Sequence, residues 1–156
     1  MEDTHVIYEG NEVSIYAVYD GHGGKLAAEF MRDFLHLELE KAILKCSASN
    51  EDSSSSDFRR GLDARVFGVI EQTFLEMDQK LRDYFVTLSQ ENPKGHIYDD
   101  GCTAAVVCIH GDNLYCANIG DTEIYLCRTA ESRTRSLKHE ITDMSKNHFP
   151  NDDVER

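Results

Sequence analysis

Asp20, Gly21, His22, Gly23 and Gly24 place a carboxylate and an imidazole two residues apart among three glycines. An Asp can ligate a hard cation, an exposed Gly carbonyl can ligate the same cation, and a His can move a proton. These residue types together suit a corner for metal-assisted hydrolysis. Spacing alone leaves a second reading open, an ordinary glycine-rich turn capped by Asp. Two acids, Glu2 and Asp3, stand at the start of the chain, and Gly120-Asp121 has the same local form as Asp20-Gly21.

The elements that must position these residues follow from periodicity. Val13–Tyr19 is short, nearly all apolar and rich in β-branched and aromatic residues, which predicts a buried strand ending at Asp20. Val6-Ile7-Tyr8 predicts a shorter strand, and Gly10-Asn11 a turn between the two. Such a hairpin would bring Glu2 toward Asp20, because one strand starts near where the other ends. Residues 24–45 carry Ala27, Phe30, Met31, Phe34, Leu35, Leu37 and Leu39 at helical spacing. A second helix is expected from about Gly61 to Leu88, with a stripe from Val66 to Leu88 that reads as core packing. The two helices should pack antiparallel over a sheet. Between them, 46–57 is serine-rich and acidic and reads as a surface loop. Strands are then expected at 103–109, 114–118 and 123–127, with a break at Ile119–Thr122 and a polar loop from Thr129 to Lys138. Pro150 reads as the start of a further helix.

Composition narrows the function classes. The 156 residues suit one domain or part of one, and 40% hydrophobic with 29% charged residues indicates a globular chain. A formal net charge of −13 argues against nucleic acid as a partner. It is compatible with divalent cations or basic protein segments, and most of it reads as a plain acidic surface. No apolar stretch is long enough to cross a bilayer and no signal-peptide pattern is present, so no membrane role is expected. The five cysteines are odd in number, form no Cys-x-x-Cys pair and lie partly in apolar runs. Reduced thiols in a cytoplasmic or nuclear protein are therefore expected.

Five segments occur in an order and spacing that resemble the metal-dependent protein Ser/Thr phosphatase family, PP2C or PPM. They are Met1-Glu2-Asp3, Val18–Gly24, Asp100-Gly101-Cys102-Thr103-Ala104, Ala117–Thr122, and His148-x-Pro150 with Glu155 and Arg156 beyond. The resemblance implies an α+β fold: two antiparallel β-sheets packed as a sandwich and flanked by antiparallel helices, here incomplete. It implies that residues 1–156 are the N-terminal part of one such domain, with 46–57 a loop within it. It implies two Mg2+ or Mn2+ ions bridged by Asp20, with the Gly21 carbonyl and Glu2 as ligands of one and Asp3 beside that site. Asp121 would serve a further, looser metal site, and His22 would be the general acid that protonates the departing Ser or Thr oxygen. The substrates implied are phosphoproteins carrying phospho-Ser or phospho-Thr. No phosphoenzyme is implied, so the cysteines read as structural.

The chain also departs from the family pattern. The phosphate-holding Arg that the pattern has a few residues before Met-Glu-Asp, and two further Asp ligands in its C-terminal half, are not among residues 1–156, and Asp152 and Asp153 do not replace them. Glu123 stands where an Arg usually follows the second Asp. Three forms are expected: a fragment of a full phosphatase, a shortened scaffold, or a unit completed by another chain. The functional rivals are the phosphatase itself, a non-catalytic member that binds phosphoproteins or regulators, and an unrelated acidic binding module.

Overall fold

Val13–Tyr19 forms β2, the inner strand of the principal sheet. Val13, Ile15, Ala17 and Tyr19 point to one face and are buried, as the strand period of two requires. β1, Thr4–Glu9, pairs antiparallel on one side of it, from Thr4 opposite Tyr19 to Glu9 opposite Ser14. The tight turn between them closes with the Gly10 amide on the Val13 carbonyl at 3.0 Å. The computed structural model describes residues 2–48, 56–92, 97–131 and 137–148. Within them, β3 is Gly21–His22 and β4 is Gly101–Cys102, a short antiparallel pair of their own. β5, Ala104–His110, pairs with the free side of β2, and β6, Asn113–Ile119, pairs with β5 through a turn in which Gly111 adopts φ 58°. A left-handed residue suits the twist of a two-residue hairpin. The resulting order is β1-β2-β5-β6, all antiparallel.

Two helices cover one face of this sheet. α1, Leu26–Ala48, buries Ala27, Ala28, Leu35, Leu39 and Ile43. α2, Ser56–Glu91, buries Val66, Ile70, Met77 and Leu81. They run antiparallel: Phe30 stacks on Tyr84 at 5.3 Å, and Lys80 reaches Glu38 at 3.1 Å. Their buried faces join Val13, Ile15, Ala17, Tyr19, Ala104, Val106, Cys108 and Tyr115 in a single core. Not every residue of the expected stripes is inside. Phe34 and Phe67 are 48% and 52% exposed; Phe34 leans on Phe30, and Phe67 packs edge-on against Tyr115 at the sheet margin.

The helices are longer than periodicity indicates. The loop expected over 46–57 is helical at both ends, and 49–55 lie outside the described residues. Ser47 explains the extension of α1. Its hydroxyl donates to the Ile43 carbonyl at 3.0 Å, and the same oxygen lies 2.9 Å from His110 Nε2, so a polar residue continues the helix while docking it on β5.

The opposite face of the sheet is open. Ile7 and Val18 are 70% and 48% exposed. A groove of about 440 Å³ on this side is lined by Ile7, Tyr16, Val18, Val107, Ile124 and Tyr125. β7, Tyr125–Glu131, and β8, Leu137–Asp143, form a separate antiparallel hairpin. Of the polar loop expected from Thr129 to Lys138, residues 129–131 and 137–138 are instead in strands, and 132–136 lie outside the described residues. Leu137-Lys-His-Glu-Ile-Thr-Asp143 has only two apolar residues, too few for a strand period to stand out. The helix start expected at Pro150 lies outside the described residues. The fold is thus α+β among the described residues, with two antiparallel helices on a four-stranded antiparallel sheet and two small two-stranded sheets, β3–β4 and β7–β8.

One residue ties the sheet end together. The Thr103 amide donates to the Asp20 carbonyl at 2.9 Å. The Asp20 amide donates to Thr103 Oγ1 at 3.3 Å, and Thr103 Oγ1 lies 2.5 Å from Thr122 Oγ1. One hydroxyl therefore links the turn after β2 to the turn after β6.

Two stability predictions follow from this packing. The Tyr19 hydroxyl is buried with no hydrogen-bond partner among the described residues, and burial raises its pKa well above the usual phenol value. Tyr19→Phe removes an unsatisfied group without changing shape, and should stabilise the protein by about 1 kcal/mol in urea unfolding; a loss of stability would mean that the hydroxyl is bonded. Thr103→Ala should cost about 1–2 kcal/mol, with Thr103→Ser recovering most of it. Equal stability of Thr103→Ala and wild type would remove the hydroxyl from the account.

Candidate active site

The candidate residues sit where β1, β2 and β6 end. Continuing the β1–β2 register past Thr4 and Tyr19 sets Asp3 across from Asp20 and Glu2 across from Gly21. The second pairing is tight. A Cβ on Gly21 would lie 2.7 Å from the Glu2 carbonyl oxygen and 3.1 Å from the Glu2 Cβ. Gly21 is buried for that reason, while Glu2, Asp3, Asp20 and His22 are exposed. The hairpin thus brings Glu2 to the Asp20 turn.

His22 pairs with Gly101, and a Cβ on Gly101 would overlap the imidazole ring. Glycine at 101 is what leaves the ring its place. The next turn, Gly23–Gly24, has φ values of 74° and 156° and leads into α1. There the Asp100 carboxylate accepts the Leu26 amide at 3.0 Å, satisfying one of the orphan donors of the helix start. A Cβ on Gly24 would overlap that carboxylate. Sequence reading assigned no role to Asp100. It appears there only as the first residue of the Asp100–Ala104 segment, and its partner lies 74 positions away.

Asp121 follows Gly120, whose φ of 89° turns the chain at the end of β6. A Cβ on Gly120 would meet Thr103 Cγ2 at 2.7 Å, so the two turns are in close contact. The Gly120 carbonyl accepts the His148 amide at 3.0 Å. The acid at Glu123 is engaged locally. Tyr125 Oη donates to it at 2.6 Å and Asn147 Nδ2 at 2.7 Å, and these two bonds hold its carboxyl below the usual range.

Cys102 lies next to the turn. Burial, aided by the nearby Asp20 charge, pushes its thiol up to about 11, so it stays protonated at neutral pH and offers no thiolate. A cavity of about 710 Å³ between α2 and the β5–β6 edge is bordered by His22 and Asp100 and otherwise mostly by apolar groups such as Leu35, Phe74, Leu81 and Ile119. The carboxylates at 2, 3, 20 and 121 do not line it.

The donor set at the strand ends is all oxygen, which is the chemistry that Mg2+ and Mn2+ take. The geometry brings Glu2 and Asp3 to the Asp20–Gly21 turn and links Asp121 to it through Thr103. Among the described residues no three His, Cys, Asp or Glu side chains are gathered closely enough to hold a metal. The fit is therefore in kind of donor, with fewer protein ligands than a closed shell. Hard divalent ions commonly keep several waters, which suits a sparse set.

Comparison with known proteins agrees with this architecture. The sequence profile of the family described as Protein phosphatase 2C matches residues 1–156. The chain is similar to "Probable protein phosphatase 2C 3" of Paramecium tetraurelia, 32% identical over 144 residues, covering 89% of this chain and 43% of the relative. It is also similar to the "Integrin-linked kinase-associated serine/threonine phosphatase 2C" of Homo sapiens, 30% identical over 168 residues, covering 100% of this chain and 38% of the relative. The fold resembles the crystal structure of a serine-threonine phosphatase 2C from Toxoplasma gondii, with a TM-score of 0.72 at 14% identity, covering 96% of this chain and 46% of that one. The chain spans less than half the length of these relatives. A sheet covered by two helices, acids converging on a Gly-rich turn and a family profile matching end to end lead to one conclusion: the chain belongs to the protein phosphatase 2C family.

Proposed function

We propose that this chain carries one wall of the active site of a metal-dependent protein Ser/Thr phosphatase. The observation that carries the reading is the closure of the Glu2 strand against Gly21, beside Asp20 and one residue from His22. Asp20, the Gly21 carbonyl and Glu2 would hold Mg2+ or Mn2+, with Asp3 adjacent and Asp121 serving a further, looser site. When bound, such ions supply a hydroxide-like water and neutralise phosphoryl oxygens. The chain's own residues do the rest. Asp20 is held by its backbone bonds to Thr103, so its carboxylate is presented from a fixed turn. His22 is exposed and paired to Gly101, which supports its delivering a proton to the departing Ser or Thr oxygen. The protonated Cys102 supports direct hydrolysis without a thiol intermediate. Phosphoproteins are the substrate class. The odd number of cysteines, with no Cys-x-x-Cys spacing among them, supports a reducing compartment, the cytosol or nucleus.

A second reading has its own support. The described residues gather no three metal-ligating side chains, and Glu123 adds an acid two positions after Asp121. A non-catalytic member that binds phosphoproteins or regulators would tolerate both. Manganese calorimetry with hydrolysis of a phosphoserine peptide separates the two. The enzyme reading expects Mn2+ binding that Asp20→Asn abolishes. It also expects His22→Ala to keep the binding while losing about 100-fold or more in turnover. A full chain that neither binds Mn2+ nor hydrolyses the peptide leaves the binding reading.

A further inference from the structure

Between His22 and Leu26 the chain passes through Gly23, Gly24 and Lys25. Two successive glycines give this turn little stiffness of its own. Its geometry must come from outside, and both anchors come from one dipeptide. Gly101 pairs with His22 at the start of the turn, and the Asp100 carboxylate accepts the Leu26 amide at its end. The packing is reciprocal: the space left by the missing Cβ of Gly24 is taken by the Asp100 carboxylate, and that left by Gly101 by the His22 ring.

We infer that Asp100 is a positioning residue for His22, closing the Gly23–Gly24 turn against α1 so that the imidazole is held at a fixed place beside the Asp20 turn. The inference rests on reading His22 as the proton donor. A carboxylate is well suited to the post, since it accepts an orphan amide at the positive end of a 23-residue helix. Removing it frees the first turn of α1 and the two glycines together. The ring of His22 is exposed, and among the described residues the backbone turn and the flat surface of Gly101 are what locate it. A displacement of about 1 Å at a reacting group costs about 100-fold in rate.

The test uses leaving groups that differ in their need for a proton. Phosphoserine leaves as a poor alkoxide, whereas p-nitrophenyl phosphate leaves as a stable phenolate and needs little acid assistance. In the full chain with Mn2+, Asp100→Ala should lose about 100-fold on a phosphoserine peptide and less than about tenfold on p-nitrophenyl phosphate. Asp100→Asn keeps an oxygen that accepts the Leu26 amide, and should recover most of the peptide activity. Equal losses on both substrates, or no loss, overturn the inference. If the wild type hydrolyses neither substrate, the phosphatase reading fails separately, and NMR still decides the positioning. Asp100→Ala should then speed amide exchange at Leu26–Ala28 about tenfold and abolish the nuclear Overhauser contact between the His22 ring and Gly101. Retention of both signals overturns it.

Discussion

The Asp20 carbonyl accepts the Thr103 amide across 83 positions of sequence, and the placement of the functional residues depends on that closure. β2 alone would end at Tyr19 and leave Asp20 at a fraying tip. Pairing the next residues, Gly21 with Cys102 and His22 with Gly101, extends the strand into a second small sheet and turns the chain toward α1. The closure is almost wholly backbone, which is why glycine recurs around it. Gly21 admits the Glu2 strand, Gly101 admits an imidazole, and Gly24 admits a carboxylate. In each case a side chain would occupy the place of the functional group it now neighbours.

The parts of this arrangement that were legible in the sequence are the local ones. β2 shows itself by β-branched and aromatic density, and the two helices by their apolar spacing. The approach of Glu2 to the Asp20 turn was legible too, because a short hairpin fixes register and leaves the start of one strand beside the end of the other. The Asp100–Leu26 bond was not, since nothing within the neighbourhood of either residue points to a partner 74 positions away. The link from Asp20 through Thr103 to Thr122 is hidden for the same reason. β8 escaped because its sequence is mostly polar and its pairing with β7 rests on the backbone register from Tyr125–Asp143 to Glu131–Leu137. Periodicity also overstates burial on the helices. Phe34 and Phe67 share the spacing of core residues, yet about half of each is exposed.

The sheet has two unlike faces. Under the helices the side chains of β2 and β5 are almost fully excluded from water, whereas on the other side Ile7, Val18 and Ile109 remain 70%, 48% and 37% exposed. Apolar exposure of this extent on a regular sheet marks a surface built to be covered. The residues leading into β7, Glu123 to Tyr125, already lie along part of it. The likeness to a Toxoplasma gondii phosphatase 2C structure extends over less than half of that chain.

Electrostatics gives the proposed metal role its physical motive. The hairpin that sets Asp3 opposite Asp20 brings like charges together, with Glu2 one position further along, in a chain of net charge −13. Like charges facing each other on paired strands are destabilising unless something offsets them. The described ion pairs lie elsewhere, along the helices: Lys25 with Glu29, Arg32 with Asp33, Glu38 with Lys41 and Lys80, and Asp78 with Arg82. Asp100 and Glu123 are different, since each accepts hydrogen bonds, the first from a helix amide and the second from Tyr125 and Asn147. The carboxylates thus divide into two kinds. Those with donors brace the turns, and those at the strand ends are exposed. In the proposed function a divalent cation would offset like charge among the second kind while leaving the first in place.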